Sequence, residues 1–172
     1  MSGFNVVKAN LSDAESLCGI FLRHISSNKE YISHGEIQMG VGTGRFEDGR
    51  FVTDVAEDAY VNWMKYINGN IADEDGAAVY KAVAEDGRII GFCVSEIMED
   101  GADPFGMVCD VLVTDECRGQ GVGTALLETA VSWLREKGIR DIYLESGLHN
   151  HSAHEYFRRR GFCKISEIYK LM

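Results

Sequence analysis

Apolar residues recur along this chain of 172 residues with two different spacings, and each spacing predicts one kind of element. Continuous or alternating apolar runs predict strands, whereas apolar residues three and four positions apart predict amphipathic helices. The first run, residues 4–9, predicts a strand. Ser12 can cap a following helix whose apolar face holds Leu17, Ile20, Phe21 and Ile25. The chain is therefore predicted to begin with a strand and then a helix.

The middle of the chain predicts a loop, a helix and a hairpin. Residues 26–49 are rich in glycine and keep neither spacing, which predicts a loop with short helical turns. An apolar stripe over residues 54–67 predicts a helix. Two strands are predicted within residues 77–98, because the Asp-Gly pair at Asp86 lies between two apolar runs and such a pair is a strong hairpin signal.

The last part of the chain predicts further strands and two helices. After a loop at 99–106, residues 107–113 are almost continuously apolar, which is typical of a central strand. The remaining predicted elements are a helix at 122–138, a strand at 139–146, a short helix capped by Ser152, and a final strand at 162–172. No repeat or linker divides the chain, so residues 1–172 are predicted to form a single domain.

Composition predicts a cytoplasmic protein. No run approaches the roughly 18 apolar residues of a membrane-spanning helix, and the first residues lack the basic and apolar regions of a signal peptide. The five cysteines include no C-x-x-C pair, which predicts reduced thiols rather than a disulfide framework or a zinc ribbon. We therefore expect no membrane partner.

The charge is acidic and unevenly distributed. A net charge of −10 argues against a nucleic-acid partner, because phosphates are repelled by an acidic surface. Residues 1–115 hold eight Lys and Arg against twenty Asp and Glu, a net charge of −12. Residues 116–172 hold nine Lys and Arg against seven Asp and Glu, a net charge of +2. The second part is therefore better suited to an anion and the first part to a cation.

The letters GVGT occur twice, at residues 40–43 and 121–124. The second copy follows an apolar strand and opens an amphipathic helix, which is the context in which backbone N–H groups bind phosphate. The first copy has no helical stripe after it, and we interpret it as a flexible loop or a mobile lid. A phosphate site is therefore predicted only at the second copy.

Three nucleotide-binding motifs compete for this second copy. A Walker loop needs Gly-Lys followed by Ser or Thr, which the chain lacks, and the Rossmann fingerprint finds Thr124 at its third glycine. The pattern R-x-x-G-x-G is complete, with Arg118, Gly121 and Gly123. Residues 111–131 thus resemble the acetyl-CoA loop of the GCN5-related N-acetyltransferase (GNAT) family. Residues 150–162 resemble its second signature, through Asn150, Ala153, Phe157, Gly161 and Phe162.

This resemblance implies a fold and a reaction. The fold is α/β of the α+β type, with a mixed, mostly antiparallel central sheet of six to seven strands flanked by helices. The reaction is acetyl transfer from the co-substrate acetyl-CoA to an amine, by direct attack in a ternary complex and without a metal. The cofactor-binding residues implied are Val111, Leu112, Val113, Arg118, Gly119, Gln120, Gly121, Val122, Gly123, Thr124, Asn150 and Phe157. In the family a main-chain N–H polarises the thioester carbonyl, and this maps to Leu112 or Val113.

The attacking amine must lose a proton, and Asp110 is the predicted base. It is a carboxylate within an otherwise apolar strand, next to the implied acetyl site. A role in orienting the amine, or a structural hydrogen bond, would equally explain a carboxylate there. Glu145 and Glu96 are weaker alternatives.

The leaving thiolate needs a proton, and here the sequence departs from the family. A tyrosine of the second signature is the usual acid, but Phe157 holds that position and Tyr156 precedes it. Adjacent helical residues point about 100° apart, so Tyr156 either packs in the core or reaches the sulfur through a local distortion. We retain Tyr156 as a candidate catalytic residue; water is the other proton source, because a thiol pKa of about 8.5 already makes the thiolate a fair leaving group.

The acidic first part predicts a cationic small-molecule amine as acceptor, such as an aminoglycoside-like amine or a polyamine. A protein N-terminus or a lysine is an alternative acceptor, and a non-catalytic acyl-CoA-binding domain is the alternative function. Three histidines, His149, His151 and His154, match no standard metal spacing, so no metal site is predicted. Family members are often dimers, which makes a homodimer an expectation.

Overall fold

The strand predicted at residues 4–9 is present as β1, Phe4–Lys8, in a computed structural model that describes residues 3–99 and 103–171. The other strands are β2, Gly42–Glu47; β3, Arg50–Val55; β4, Ala77–Ala84; β5, Ile89–Met98; β6, Phe105–Val113; and β7, Ile142–Leu144. The helices are α1, Ala14–Ser27; α2, His34–Gln38; α3, Ala59–Ala72; α4, Val122–Glu136; and α5, His151–Arg158. Part of the predicted loop at 99–106, residues 100–102, lies outside the described residues.

The central sheet has the order β1-β4-β5-β6-β7. Its first three pairings are antiparallel, and β6 pairs with β7 in parallel. The prediction of a mixed, mostly antiparallel sheet flanked by helices is therefore confirmed. Within the described residues this sheet has five strands rather than six to seven, because β2 and β3 form a separate two-stranded sheet.

The chain forms two compact units. The first consists of the described parts of Met1–Phe21 and Met64–Leu144, and the second of Leu22–Trp63 and the described part of Glu145–Met172. The first unit holds the five-stranded sheet, with Phe92 and Val94 of β5 fully buried. The second holds the β2–β3 hairpin, α2 and α5, with Val41 and Trp63 fully buried. The prediction that residues 1–172 form a single domain stays a prediction.

The predictions for residues 26–67 need two corrections. Residues 29–38 form the predicted short helical turns, a 3-10 turn and α2, but residues 42–55 form a regular hairpin rather than a loop. The hairpin closes at Asp48 and Gly49, which both have positive φ angles, as a tight two-residue turn requires. The predicted helix therefore begins at Ala59, because Asp54 and Val55 belong to β3.

The predicted final strand is absent from the described residues 162–171. A strand needs the backbone hydrogen bonds of a neighbouring strand, and no described strand pairs with this segment. Its polar side chains contact one another instead, since Glu167 accepts from Lys164 and from the Tyr169 hydroxyl. The prediction was therefore wrong for these ten residues, and Met172 lies outside the described residues.

An ion pair in the first unit should contribute strongly to stability. Lys81 of β4 lies 2.6 Å from Asp13, and their side chains are 15% and 12% exposed. Removal of one partner from such a pair leaves a buried, uncompensated charge. We expect Asp13→Asn to lower the free energy of unfolding by about 3 kcal/mol, measured by urea denaturation.

The matched control is Asp86→Asn, which breaks the exposed pair between Arg88 and Asp86. Exposed pairs stabilise proteins little, so this variant should unfold at the urea concentration of the parent protein. Equal losses in the two variants would contradict the importance of burial for the Lys81–Asp13 pair.

Candidate active site

The central strand β6 contains a β-bulge next to Asp110. Asp110 pairs with Val94 and Val108 pairs with Ser95, so Cys109 is an extra residue opposite β5. A bulge bends its strand and reverses which residues face each neighbour. On the other side, β6 pairs with β7 only from Gly106 to Val108. Beyond the bulge, β6 therefore continues along β5 after its pairing with β7 has ended.

The bulge determines which N–H groups of β6 point away from β5. The N–H of Thr114 donates to the carbonyl of Ile90, which precedes Gly91 of β5. Backbone N–H groups alternate in direction along a strand. The N–H of Leu112 therefore also points at β5, whereas the N–H groups of Val111 and Val113 point to the side on which pairing with β7 has ended. Of the two residues predicted to polarise the thioester, Val113 has an N–H that faces away from β5, whereas the N–H of Leu112 faces β5.

The loop after β6 leads directly into α4. Gly119 and Gly121 have φ angles of 74° and 86°, a left-handed conformation that other residues adopt at a cost. Gly121 is the N-cap of α4 and has no side chain with which to cap the first N–H groups of the helix. The first turn holds no acidic residue. The positive end of the α4 dipole is thus suited to an anion.

Arg118 fixes the loop between strand and helix. Its Nε donates to the carbonyl of Val113 at 3.2 Å, and its guanidinium lies 2.7 Å from the Asp115 carboxylate. Gln120 adds a hydrogen bond to the carbonyl of Glu116 at 3.0 Å. These bonds tie the loop to the end of β6 and to its own 3-10 turn, Asp115–Cys117.

Asp110 accepts a hydrogen bond from a half-buried tyrosine. The hydroxyl of Tyr66, on α3, donates to Oδ2 of Asp110 at 2.9 Å. Burial, followed by the Asp110 carboxylate, raises the pKa of the Tyr66 hydroxyl well above its usual value. Tyr66 therefore stays protonated near neutral pH and acts as a donor. The sequence placed Tyr66 on an apolar stripe but did not identify its role.

Two more titratable side chains belong to this cluster. The Cys109 thiol donates to the carbonyl of Met107 at 3.7 Å. Burial, then the charges of Glu96 of β5 and of Asp110, raise the pKa of this thiol. Cys109 is therefore a protonated thiol near neutral pH and not a nucleophile. The cluster unites α3, β5 and the bulge of β6. Glu96, a weaker candidate for the base, thus lies in the same cluster as Asp110.

The second unit holds Asn150, Tyr156 and Phe157. Asn150, not Ser152, is the N-cap of α5: its Oδ1 accepts from the backbone N–H of Ala153 and from the Ser152 hydroxyl, both at 3.3 Å. The predicted cap was wrong because Ser152 already lies within the helix. The capping bonds use only the oxygen of the Asn150 amide.

Tyr156 and Phe157 are packed against other side chains. Their rings meet edge to face at 5.2 Å, and Phe157 also contacts Phe162 at 6.0 Å. The guanidinium of Arg160 lies 3.7 Å from the centre of the Tyr156 ring. Phe157 therefore has an aromatic packing role in α5, and it has no hydroxyl with which to protonate a thiolate.

The remaining candidates have structural partners in the second unit. The carboxylate of Glu145 accepts from the backbone N–H of Gly35 at 2.9 Å. A ring nitrogen of His154 lies 3.0 Å from the carbonyl of Gly147. Among residues 3–99 and 103–171, no group of three or more His, Cys, Asp and Glu side chains is arranged to hold a metal ion.

Comparison with known proteins identifies the family. Residues 45–162 match the family described as Acetyltransferase (GNAT) family, and this range contains the bulged strand, the Arg118 loop and α5. The chain belongs to the GNAT acetyltransferase family. It is accordingly an acyltransferase, and the predicted enzyme class is confirmed.

Individual relatives agree with this assignment. The chain is 31% identical over 110 residues to aminoglycoside N(6')-acetyltransferase type 1 of Stenotrophomonas maltophilia, covering 61% of this chain and 71% of the relative. It is 27% identical over 84 residues to N-alpha-acetyltransferase 30 of Schizosaccharomyces pombe, covering 48% and 56%. A predicted acetyltransferase from Clostridium acetobutylicum, solved with acetyl-CoA, has the same fold at 19% identity, with a TM-score of 0.70 over 99% and 96% of the chains.

In the described part of the chain, no helix is both long and apolar enough to cross a membrane. The first unit thus contains a bulged strand, a helix start without a side-chain cap and a half-buried tyrosine–carboxylate pair.

Proposed function

We propose that this GNAT enzyme transfers the acetyl group of acetyl-CoA to a primary amine of a cationic small molecule, by direct attack in a ternary complex. The observation that carries the proposal is the arrangement at the end of β6. Asp110, the outward-facing N–H of Val113 and the uncapped start of α4 follow one another within fifteen residues of chain. A base, an oxyanion donor and a phosphate site are the groups that this reaction needs.

Acetyl-CoA is the proposed co-substrate, bound through the backbone of residues 118–124. Its pyrophosphate would accept from the N–H groups at the positive end of α4, where Gly121 leaves the backbone accessible. Val113, with Val111 in the same orientation, would donate to the thioester carbonyl as negative charge develops on its oxygen. On the strength of the family resemblance, Asn150 remains a predicted contact of the pantetheine arm and Phe157 a predicted cofactor-binding residue. The acetyl-CoA bound to the Clostridium acetobutylicum protein supports this choice.

Asp110 is the proposed base. An ammonium group has no lone pair for attack on a carbonyl, so its N–H bond must break and the proton must move to an acceptor. Asp110 is half-buried next to Val111 and is held by the Tyr66 hydroxyl. The neutral amine then forms a C–N bond to the acetyl carbonyl, and the nitrogen releases its second proton to water. The C–S bond breaks, and the CoA thiolate takes a proton from water.

A cationic acceptor is supported by charge and by similarity. Residues 1–115, which contain Asp110, Glu96 and Tyr66, have a net charge of −12, and a site of this sign attracts cations. The Stenotrophomonas relative acts on aminoglycosides, which are polycationic amines. Both observations favour an aminoglycoside-like amine or a polyamine.

An amine panel tests the proposal. Purified enzyme and acetyl-CoA are incubated with aminoglycosides, polyamines, neutral amines, acidic amino acids and peptides with free N-termini, and CoA release is followed with a thiol reagent. We expect turnover of the polycationic amines above the background of thioester hydrolysis. Turnover of only neutral or acidic acceptors would contradict the cationic substrate class.

Protein N-termini are the second candidate acceptors, because the Schizosaccharomyces pombe relative is an N-alpha-acetyltransferase. Preferential acetylation of the peptides in the panel would favour this function. Binding of acetyl-CoA without transfer to any acceptor would instead indicate a non-catalytic acyl-CoA-binding domain. Phe157 suggests this alternative, because it replaces the tyrosine that is the family's usual acid.

Tyr156 should contribute little to the rate. Its ring packs against Phe157 and Arg160, and Tyr156→Phe keeps that packing. We expect kcat to fall by less than about tenfold, measured at saturating acetyl-CoA. A loss of about a hundredfold or more with unchanged acetyl-CoA binding would identify Tyr156 as the acid that protonates the thiolate.

Two further expectations accompany the proposed function. A cytoplasmic location is proposed from the composition, and a homodimer from the family resemblance. Size-exclusion chromatography with light scattering measures the mass of the assembly in solution, and a mass of 19.1 kDa would contradict the dimer.

A further inference from the structure

The Tyr66–Asp110 hydrogen bond joins a half-buried tyrosine to the proposed base. Tyr66 lies on α3 next to Ile67, which is fully buried, and Tyr66 itself is half-buried. Its hydroxyl reaches Oδ2 of Asp110 at 2.9 Å. A buried tyrosine hydroxyl needs a hydrogen-bond partner, and a carboxylate is a stronger acceptor than a neutral oxygen.

Other titratable groups lie near Asp110. Glu96 on β5 is a second carboxyl group, within electrostatic range of Tyr66 and Cys109. The thiols of Cys93 on β5 and Cys109 on β6 also lie within electrostatic range of Asp110, and both are protonated, since burial raises the pKa of each. On α3, Tyr66 is the titratable group that faces Asp110. Its hydroxyl donates a hydrogen bond, which favours the charged form of the carboxylate.

We infer that Tyr66 is a positioning residue whose hydroxyl holds the Asp110 carboxylate oriented and deprotonated for removal of the proton from the acceptor ammonium. This inference rests on the proposed function. In the step itself an N–H bond of the ammonium breaks and an O–H bond forms on Asp110, while Tyr66 keeps its own proton. Tyr66 stabilises the base before the step and touches no reacting atom.

The test is Tyr66→Phe, which removes the hydroxyl and keeps the ring. A hydrogen bond to a charged group favours that form, so its loss makes Asp110 bind its proton more tightly. We expect the acidic limb of the kcat/KM profile to move to higher pH by about one unit or more. The KM for acetyl-CoA should stay unchanged. Tyr60→Phe is the matched control, because Tyr60 is on the same helix and is 48% exposed; its profile should coincide with that of the parent protein.

A second measurement separates this inference from the proposed function. Carboxyl-carbon NMR of aspartate-labelled protein follows the titration of Asp110 directly, with Asp110→Asn to assign the signal, and needs no turnover. We expect the titration midpoint of Asp110 to rise by about one pH unit or more in Tyr66→Phe. An unchanged midpoint in a folded variant would overturn the inference. Failure of the amine panel with a shifted midpoint would overturn the proposed function alone.

Discussion

Asp110→Asn should lower kcat/KM for the amine by a factor of about 10² to 10⁴, the usual contribution of a general base. The substitution keeps the shape of the side chain and an oxygen that can accept from Tyr66, so the fold of the cluster should persist. The acetyl-CoA affinity should not change, because the proposed phosphate site lies in the loop after β6. Steady-state kinetics and acetyl-CoA titration of the same preparation measure both quantities.

Glu145→Gln distinguishes Asp110 from the alternative base. Glu145 is exposed and accepts from the backbone N–H of Gly35, which gives it a structural role in the second unit. We expect its replacement to leave kcat/KM within about threefold, an effect far below that of a lost base. A comparable loss in both variants, or a loss in Glu145→Gln alone, would show that Asp110 is not the base.

Gly121→Ala should weaken CoA binding about 10- to 100-fold. A side chain at φ 86° costs about 1–2 kcal/mol, and the added methyl group would lie over the backbone that we propose for the pyrophosphate. Among the described residues beyond its chain neighbours, none has a heavy atom within 4 Å of that methyl position, so the loss would not come from a clash with another part of the protein. Isothermal titration with CoA measures the affinity.

Gly138→Ala is the matched control for this variant. Gly138 follows the other end of α4, has a φ angle of 84°, and also has open space around its methyl position. The two variants should lose similar thermal stability, but Gly138→Ala should bind CoA within about twofold of the parent. Equal weakening by both would attribute the effect to strain in α4 rather than to the phosphate site.

The hairpin of the second unit was predictable from the sequence and was missed. The letters EDGR occur at residues 47–50 and again at 85–88, and both copies close a β-hairpin. The second copy was recognised because long apolar runs flank it. The first lies between Phe46 and Phe51 in a glycine-rich segment whose alternation is weak, so the turn signal alone carried the information.

The candidate site was predictable only in part. The R-x-x-G-x-G pattern located the helix start, and a single carboxylate in an apolar run located Asp110. The bulge at Cys109 has no signal in the residue types, because it is a property of the β5–β6 register. The bulge nevertheless determines that the backbone N–H of Val113, rather than that of Leu112, faces away from β5. Tyr66 could have been suspected, because a hydroxyl on an apolar helical stripe needs a buried partner.

The proposed reaction is acetyl transfer from acetyl-CoA to a cationic amine. Its most direct test is mass spectrometry of the acceptor after incubation of the enzyme with acetyl-CoA carrying an isotopically labelled acetyl group. We predict that polycationic amines gain the labelled acetyl group as an amide, and that Asp110→Asn forms this product far more slowly. Binding of acetyl-CoA with no labelled amide on any cationic amine would contradict the account.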